Sequence, residues 1–165
     1  VGDAAPERNL YRHPSRQGFS VEAAYAMPHD IYALGVCLLE IGLWSSFVSY
    51  DDDGSNNNGG GKSKVRLSDS AFPSLGGGGG AMPPDFFLWR EIGGQKVKEY
   101  LVALARERLP GRMGDRYTTV VLHCLTCLDK DNTIFDGETM RDEDGVVVGV
   151  RFIEKVQLAL GEISL

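Results

Sequence analysis

Three things are scarce in this 165-residue sequence: long apolar runs, clustered positive charge and cysteine. The longest apolar stretch, Ile31–Leu39, falls well short of the ~20 residues that a helix needs to span a bilayer. No secretory signal pattern opens the chain, so no membrane span is expected. Lys and Arg number 17 against 23 Asp and Glu, for a net charge of −6. Without a basic block, neither nucleic acid nor an anionic membrane is expected as the main partner. Three cysteines and no N-x-S/T sequon point to a reducing, cytoplasmic setting rather than a disulfide-stapled secreted module. The sequence starts at Val1 and enters directly into polar residues, so it reads as a piece of something longer.

Glycine is the residue in excess, and the excess is local. Nine of the 21 glycines lie between Ser49 and Asp85, and the rest of the chain carries glycine at an ordinary frequency. The 49–85 stretch has no apolar period, and ordering it would cost backbone entropy that nothing repays. It reads as a low-complexity, disordered surface insertion in a single domain, with Val65–Phe72 lightly docked.

Elsewhere the periodicity is helical. Pro6, Pro14, Gly18 and Pro28 punctuate a polar, loop-like opening. Asp30 is placed as a helix N-cap for Ile31–Trp44, where only Glu40 is charged. A helix apolar nearly all round is normally buried at the centre of its domain. Gly35 and Gly42 within it suggest close packing of another backbone or ring. Three amphipathic helices are expected beyond the insertion. The first carries Val97, Tyr100, Leu101, Leu104 and Arg108, and Pro110-Gly111 stops it. The second carries Tyr117, Val120, Val121, Cys124, Leu125 and Leu128, and the third Phe152, Ile153, Val156, Leu160 and Ile163. Asp129–Asp144, with seven carboxylates, reads as a solvated acidic loop, and Val146–Val150 reads as a short strand or a lead into the last helix.

Most short motifs fail on context. Gly59-Gly-Gly61-Lys62-Ser63 has the tail of a phosphate-binding loop, but Asn56 stands where its first glycine belongs, and no strand precedes it. Asp129-x-Asp131-x-Thr133 starts like a calcium loop, yet Ile134 and Met140 occupy the obligatory Gly and Glu positions. Cys124-x-x-Cys127 would need four ligands to hold zinc, and the chain offers only Cys37 besides. Buried free thiols are the better reading of Cys124 and Cys127, ahead of a helical metal or redox module. His13, His29 and His123 stand in no nucleophile or metal spacing and read as structural.

One combination rises above composition. Tyr11-Arg-His-Pro14-Ser15, followed by Asp30-Ile-Tyr32-Ala33-Leu-Gly35-Val-Cys-Leu38-Leu-Glu40, resembles the second half of a protein kinase domain. There the activation segment ends in a Y-x-A-P-E-like motif, and D-x-[WY]-[SA]-x-G-x-x-L-x-E marks the buried αF helix of the large lobe. Cys127-Leu128-Asp129 resembles the family's C-L-x-x-D-P segment, and Val156–Leu160 its final helix. Tyr11–Gly18, His29–Trp44, Leu109–Asp129 and Gly145–Ile163 are most similar to the fungal kinase-like domains associated with HeLo (prion-inhibition and propagation) proteins.

The resemblance implies a mainly α fold: residues 1–165 as a C-terminal-lobe fragment of a kinase-like domain, built around a buried αF-type helix. Tyr11, Pro14 and Ser15 would mark the end of the activation segment. Asp30, Tyr32, Gly35, Leu38 and Glu40 would be the structural αF motif, with Asp30 hydrogen-bonding catalytic-loop backbone. Ser15 stands where the family has its A-P-E glutamate, and Thr133, Ile134 and Phe135 stand near where its arginine partner belongs. Losing both halves of a buried ion pair is far less damaging than losing one.

No glycine-rich loop, strand lysine, H-R-D or D-F-G occurs in the chain, so no catalytic residue and no metal ligand is assigned. ATP and magnesium are implied only for a competent parent. The expected function is a non-catalytic, pseudokinase-type scaffold or signalling module. Its partners would be the missing N-terminal part of the domain and a further protein. The alternative is the substrate-side half of an active Ser/Thr-type kinase. In either case Ile31–Leu43 should be the most buried helix, an apolar face should be exposed where the missing part packs, and marginal stability or association in solution should follow.

Overall fold

The computed structural model describes residues 6–18, 24–51, 64–68 and 85–129, together with Asn132, Leu158 and Gly161. Among these the protein is mainly helical. A short helix α1 (Pro6–Asn9) and a 3-10 turn (Pro14–Arg16) lead to the long helix α2 (Pro28–Leu43). Strands β1 (Val48–Asp51) and β2 (Lys64–Leu67) follow, then α3 (Asp85–Arg108) and α4 (Pro110–Leu125).

Helix α2 starts two residues before the expected cap. Pro28 at the first position has its φ preset for a helix and lacks the N–H that the first turn would leave unpaired. Met27 is the N-cap and makes no side-chain capping bond. The amides of His29 and Asp30 donate to the Ala26 and Met27 carbonyls at 2.9 Å. Asp30 is therefore a first-turn acid favoured by the helix dipole rather than the cap.

The two faces of α2 have opposite fates. Ile31, Tyr32, Gly35, Val36, Leu39, Gly42 and Leu43 are buried and lie within one arc at 100° per residue. That arc packs mainly against α4. Gly35 and Gly42 permit the approach. A Cβ at Gly35 would stand 2.8 Å from Cys124 Cβ and 3.0 Å from the Leu125 backbone nitrogen. One at Gly42 would meet Leu109 Cδ2 at 2.6 Å and the Tyr117 ring at 2.9 Å. One glycine thus faces backbone and the other a ring, as their presence in the helix suggests. On the opposite arc Asp30, Leu34, Cys37, Ile41 and the capping Trp44 are exposed. Cys37, expected inside a buried helix, is at the surface because the described residues cover α2 on one side only.

A Schellman-type end closes α2. The Trp44 amide donates to Ile41 O at 3.1 Å and the Ser45 amide to Glu40 O at 3.2 Å. Trp44 holds φ +53°, where glycine is usual, and its indole is 84 % exposed. Trp44→Gly should raise thermal stability by about 1 kcal/mol, the cost of a left-handed L-residue. A lower melting temperature would show instead that the indole itself contributes to the fold.

The strands fall within the stretch read as an unstructured insertion. Val48–Asp51 pairs antiparallel with Lys64–Leu67, Val48 opposite Leu67. Fully buried Phe47 anchors the start, and its carbonyl accepts from the Ser68 amide at 2.8 Å. Backbone pairing needs no apolar period, which is why the pattern did not reveal it. Residues 52–63, 69–84 and the glycine-lysine-serine motif lie outside the described residues.

Helix α3 begins before the expected stripe and kinks at Gly93, where φ is +76°. Val97, Leu101, Leu104 and Ala105 are buried, whereas Arg108 is exposed, with Leu109 taking the core position. Pro110 does end α3, but it also starts α4, because a missing N–H costs nothing at a helix start. Helix α4 stops at Leu125, so Leu128 of the expected stripe lies beyond it and is exposed. Leu10, Phe47 and the α2–α4 residues complete one core. Fully burying one large aliphatic side chain contributes ~1.5–3 kcal/mol. The acidic loop beyond Asp129 (Asn132 excepted), Val146–Val150 and the C-terminal stripe also lie outside the described residues. Leu158 and Gly161 alone are described there, helical and exposed.

Candidate functional site

Two polar clusters tie the opening segment to α2, and they gather most of the residues singled out from the sequence. The first is centred on Glu40, in the penultimate turn of α2. Its Oε1 accepts from Tyr11 Oη at 2.9 Å, from the Phe47 amide at 2.6 Å and from Ser46 Oγ at 3.2 Å. Tyr11 and Glu40, 29 residues apart in sequence, thus meet directly.

The second cluster is built on His13, with Ser15, His29, Tyr32, Lys98 and Asp129. Pro14 opens the 3-10 turn and is half-buried, and Ser15 follows it. Ser15 Oγ lies 2.9 Å from His13 Nδ1 and 3.4 Å from His29 Nε2. The position expected to lack an ion pair is therefore occupied by a hydroxyl between two imidazoles. Thr133, Ile134 and Phe135 lie outside the described residues. The buried Tyr32 ring meets His13 edge-to-face, with centroids 5.2 Å apart. His13 Nε2 lies 3.4 Å from Lys98 Nζ, and Lys98, 3 % exposed, is paired with Asp129. Burial first, then the Lys98 and His29 charges, lowers the His13 pKa to about 4, so the ring is neutral near pH 7.

No spacing rule could have brought these groups together. Lys98 is 85 residues from His13, and as a lysine on an amphipathic helix it carries no signal of burial. His13 and His29 lie 16 positions apart in sequence, and packing sets their rings 6.0 Å apart.

The remaining motif residues fall elsewhere. Leu38 is half-buried, and its carbonyl accepts from Tyr117 Oη at 2.7 Å. Gly35 serves the helix contact described above. Asp30 is exposed and its carboxylate accepts from Tyr25 Oη. Tyr25 is itself 61 % exposed and stacks on His29.

Cys124 and Cys127 are both free and buried, and burial pushes their thiols up to about 12. Cys127 Sγ donates to Pro28 O at 3.1 Å. Groups so disfavoured as thiolates are packing residues. Between α3 and the end of α4 a cleft of about 440 Å³ runs from Arg106 to Asn132. Of the motif residues it contains Asp129. Among the described residues no helix is long and apolar enough to cross a membrane.

Comparison of the chain with protein-family models, with curated proteins and with solved structures returned no match.

Proposed function

We propose that this chain is the large-lobe portion of a kinase-like domain and works as a non-catalytic scaffold, with the outer arc of α2 as the seat for the other part of that domain. The observation that carries this reading is the composition of that arc. Leu34, Cys37, Ile41 and Trp44 present an exposed apolar stripe over three turns of the central helix, with Asp30 as its one charge, at the N-terminal end. Contiguous apolar exposure of this kind marks an interaction surface. The Tyr11–Glu40 bond adds support, because it joins the two motifs on which the kinase resemblance rests.

The chemistry of phosphoryl transfer has no bearer in these residues. ATP and magnesium enter only through a parent whose other part supplies the nucleotide site.

Two checks bear on the proposal. The coding sequence upstream of Val1 should encode a kinase-like first half, degenerate at the H-R-D and D-F-G positions. An unrelated upstream sequence would remove the reading. Second, Cys37 offers an exposed thiol on the arc, whereas Cys124 and Cys127 are buried. In the longer chain its alkylation should slow by about tenfold or more relative to this chain, as expected for a site opened only by local unfolding. Equal rates would show that nothing covers α2.

A further inference from the structure

His13 stands where a second proton has no place. Its ring is nine-tenths buried, and both nitrogens face donors. Nδ1 lies 3.3 Å from the Ser15 amide nitrogen and 2.9 Å from Ser15 Oγ. Nε2 lies 3.4 Å from Lys98 Nζ. The single lone pair of a neutral imidazole serves either side, on Nδ1 accepting from the Ser15 amide, or on Nε2 accepting from Lys98 Nζ while Nδ1–H donates to the Ser15 hydroxyl. A doubly protonated ring has no lone pair and would set a second cation against the buried Lys98 ammonium.

We propose that His13 is an acid-operated clasp: neutral, it holds residues 9–17 against α2 and α3; doubly protonated, it lets that segment go while the α2–α4 core stays folded. The proposal is independent of the kinase-like reading.

The groups facing His13 determine its behaviour from every side. From α2 come His29, whose ring is 6.0 Å away, and Tyr32, whose ring edge packs on it. From α3 comes Lys98, and from the turn after α4 comes Asp129. Asp129 favours protonation of His13, but its carboxylate is already committed to Lys98, while burial, Lys98 and His29 all oppose it. The segment has further ties besides His13, among them the fully buried Leu10. Gln17 Nε2 donates to the Asn9 and Arg12 carbonyls at 2.9 and 2.7 Å, which closes the segment on itself. Tyr11 Oη donates to Glu40.

The sign follows from linkage. The folded-state pKa of about 4 lies below the ordinary 6.5, so the released segment binds the extra proton more readily. Closure is at full strength above about pH 6.5 and is lost as the pH falls towards 4. At pH 4.5 release should be favoured up to ~50-fold over pH 7 by this group alone.

Amide hydrogen exchange of this chain at pH 7 and pH 4.5, corrected for intrinsic rates, tests the clasp. Protection of residues 9–17 should drop at least tenfold while that of residues 117–125 is kept. His13→Gln should remove the pH dependence of the segment, and His29→Gln should retain it. Unchanged protection at pH 4.5 overturns the proposal, as does simultaneous loss of protection across α4. A pH dependence that follows His29→Gln rather than His13→Gln overturns it as well. Should His13→Gln not fold, Lys98→Met serves instead. Removing the ammonium lessens the penalty for protonating His13 in the closed segment, so the loss of protection between pH 7 and pH 4.5 should shrink, and an undiminished loss speaks against the clasp.

Discussion

Gly35→Ala is expected to destabilise the protein by about 1–3 kcal/mol, although the same exchange in an open helix stabilises by ~1 kcal/mol. The difference comes from what the new methyl would meet. Its nearest neighbours are Cys124 Cβ at 2.8 Å and the Leu125 backbone nitrogen at 3.0 Å, and neither can swing aside as a side-chain tip could. The helices would have to separate, opening the contact that holds α2 on α4. Gly35→Val, with a larger and stiffer side chain, should exceed about 3 kcal/mol and abolish cooperative unfolding. Gly111→Ala is the control: it lies in the first turn of α4 with no atom within 4 Å of its added Cβ, and it should be neutral or stabilising by up to ~1 kcal/mol. Urea denaturation midpoints of the three variants measure these effects, and a Gly35→Ala protein as stable as the parent would show that the α2–α4 contact is looser than described.

Glu40→Ala should cost about 2–4 kcal/mol, because one carboxylate oxygen serves the Tyr11 hydroxyl, the Phe47 amide and the Ser46 hydroxyl together. The loss should register in two places, the Tyr11 segment and the entry to the β1–β2 ladder. Glu40→Gln keeps an acceptor oxygen at the same position and should cost about 1 kcal/mol, the difference between a charged and a neutral acceptor. Tyr11→Phe removes a single donor and should fall near the Gln variant. Chemical denaturation with the three variants separates them. If Glu40→Ala and Glu40→Gln are equally destabilised, the charge rather than the bonding geometry is what the site requires.

The helical skeleton was legible because its signals are local. The apolar run from Ile31 locates α2, and the periodicity of Tyr117, Val120, Val121, Cys124 and Leu125 locates the buried stripe of α4. The two glycines in α2 announced a close contact, since glycine in a helix interior is disfavoured unless something needs the space. Boundaries were less legible, because proline both ends one helix and starts the next. Asp30 has the side chain of a good cap, but Pro28 and the Ala26 and Met27 carbonyls already complete that end of the helix. The β1–β2 ladder gave no signal, since backbone hydrogen bonds carry it rather than a side-chain pattern.

The polar clusters show where local reading stops. Tyr11 and Glu40 were singled out for their places in two motifs, and it is the path of the chain between them that brings hydroxyl and carboxylate to 2.9 Å. Lys98, His13, Ser15 and Asp129 carry no mutual signal in sequence, because burial and distance depend on which helix faces meet.

Composition and periodicity by themselves specify a largely helical chain with an apolar central helix and a glycine-rich interruption. They do so because helix propensity and amphipathic spacing are properties of neighbouring residues. Which side of α2 is covered, which thiol is exposed and which lysine is buried are decided only by packing. A helix apolar all round gives no preference to either side until α4 occupies one of them.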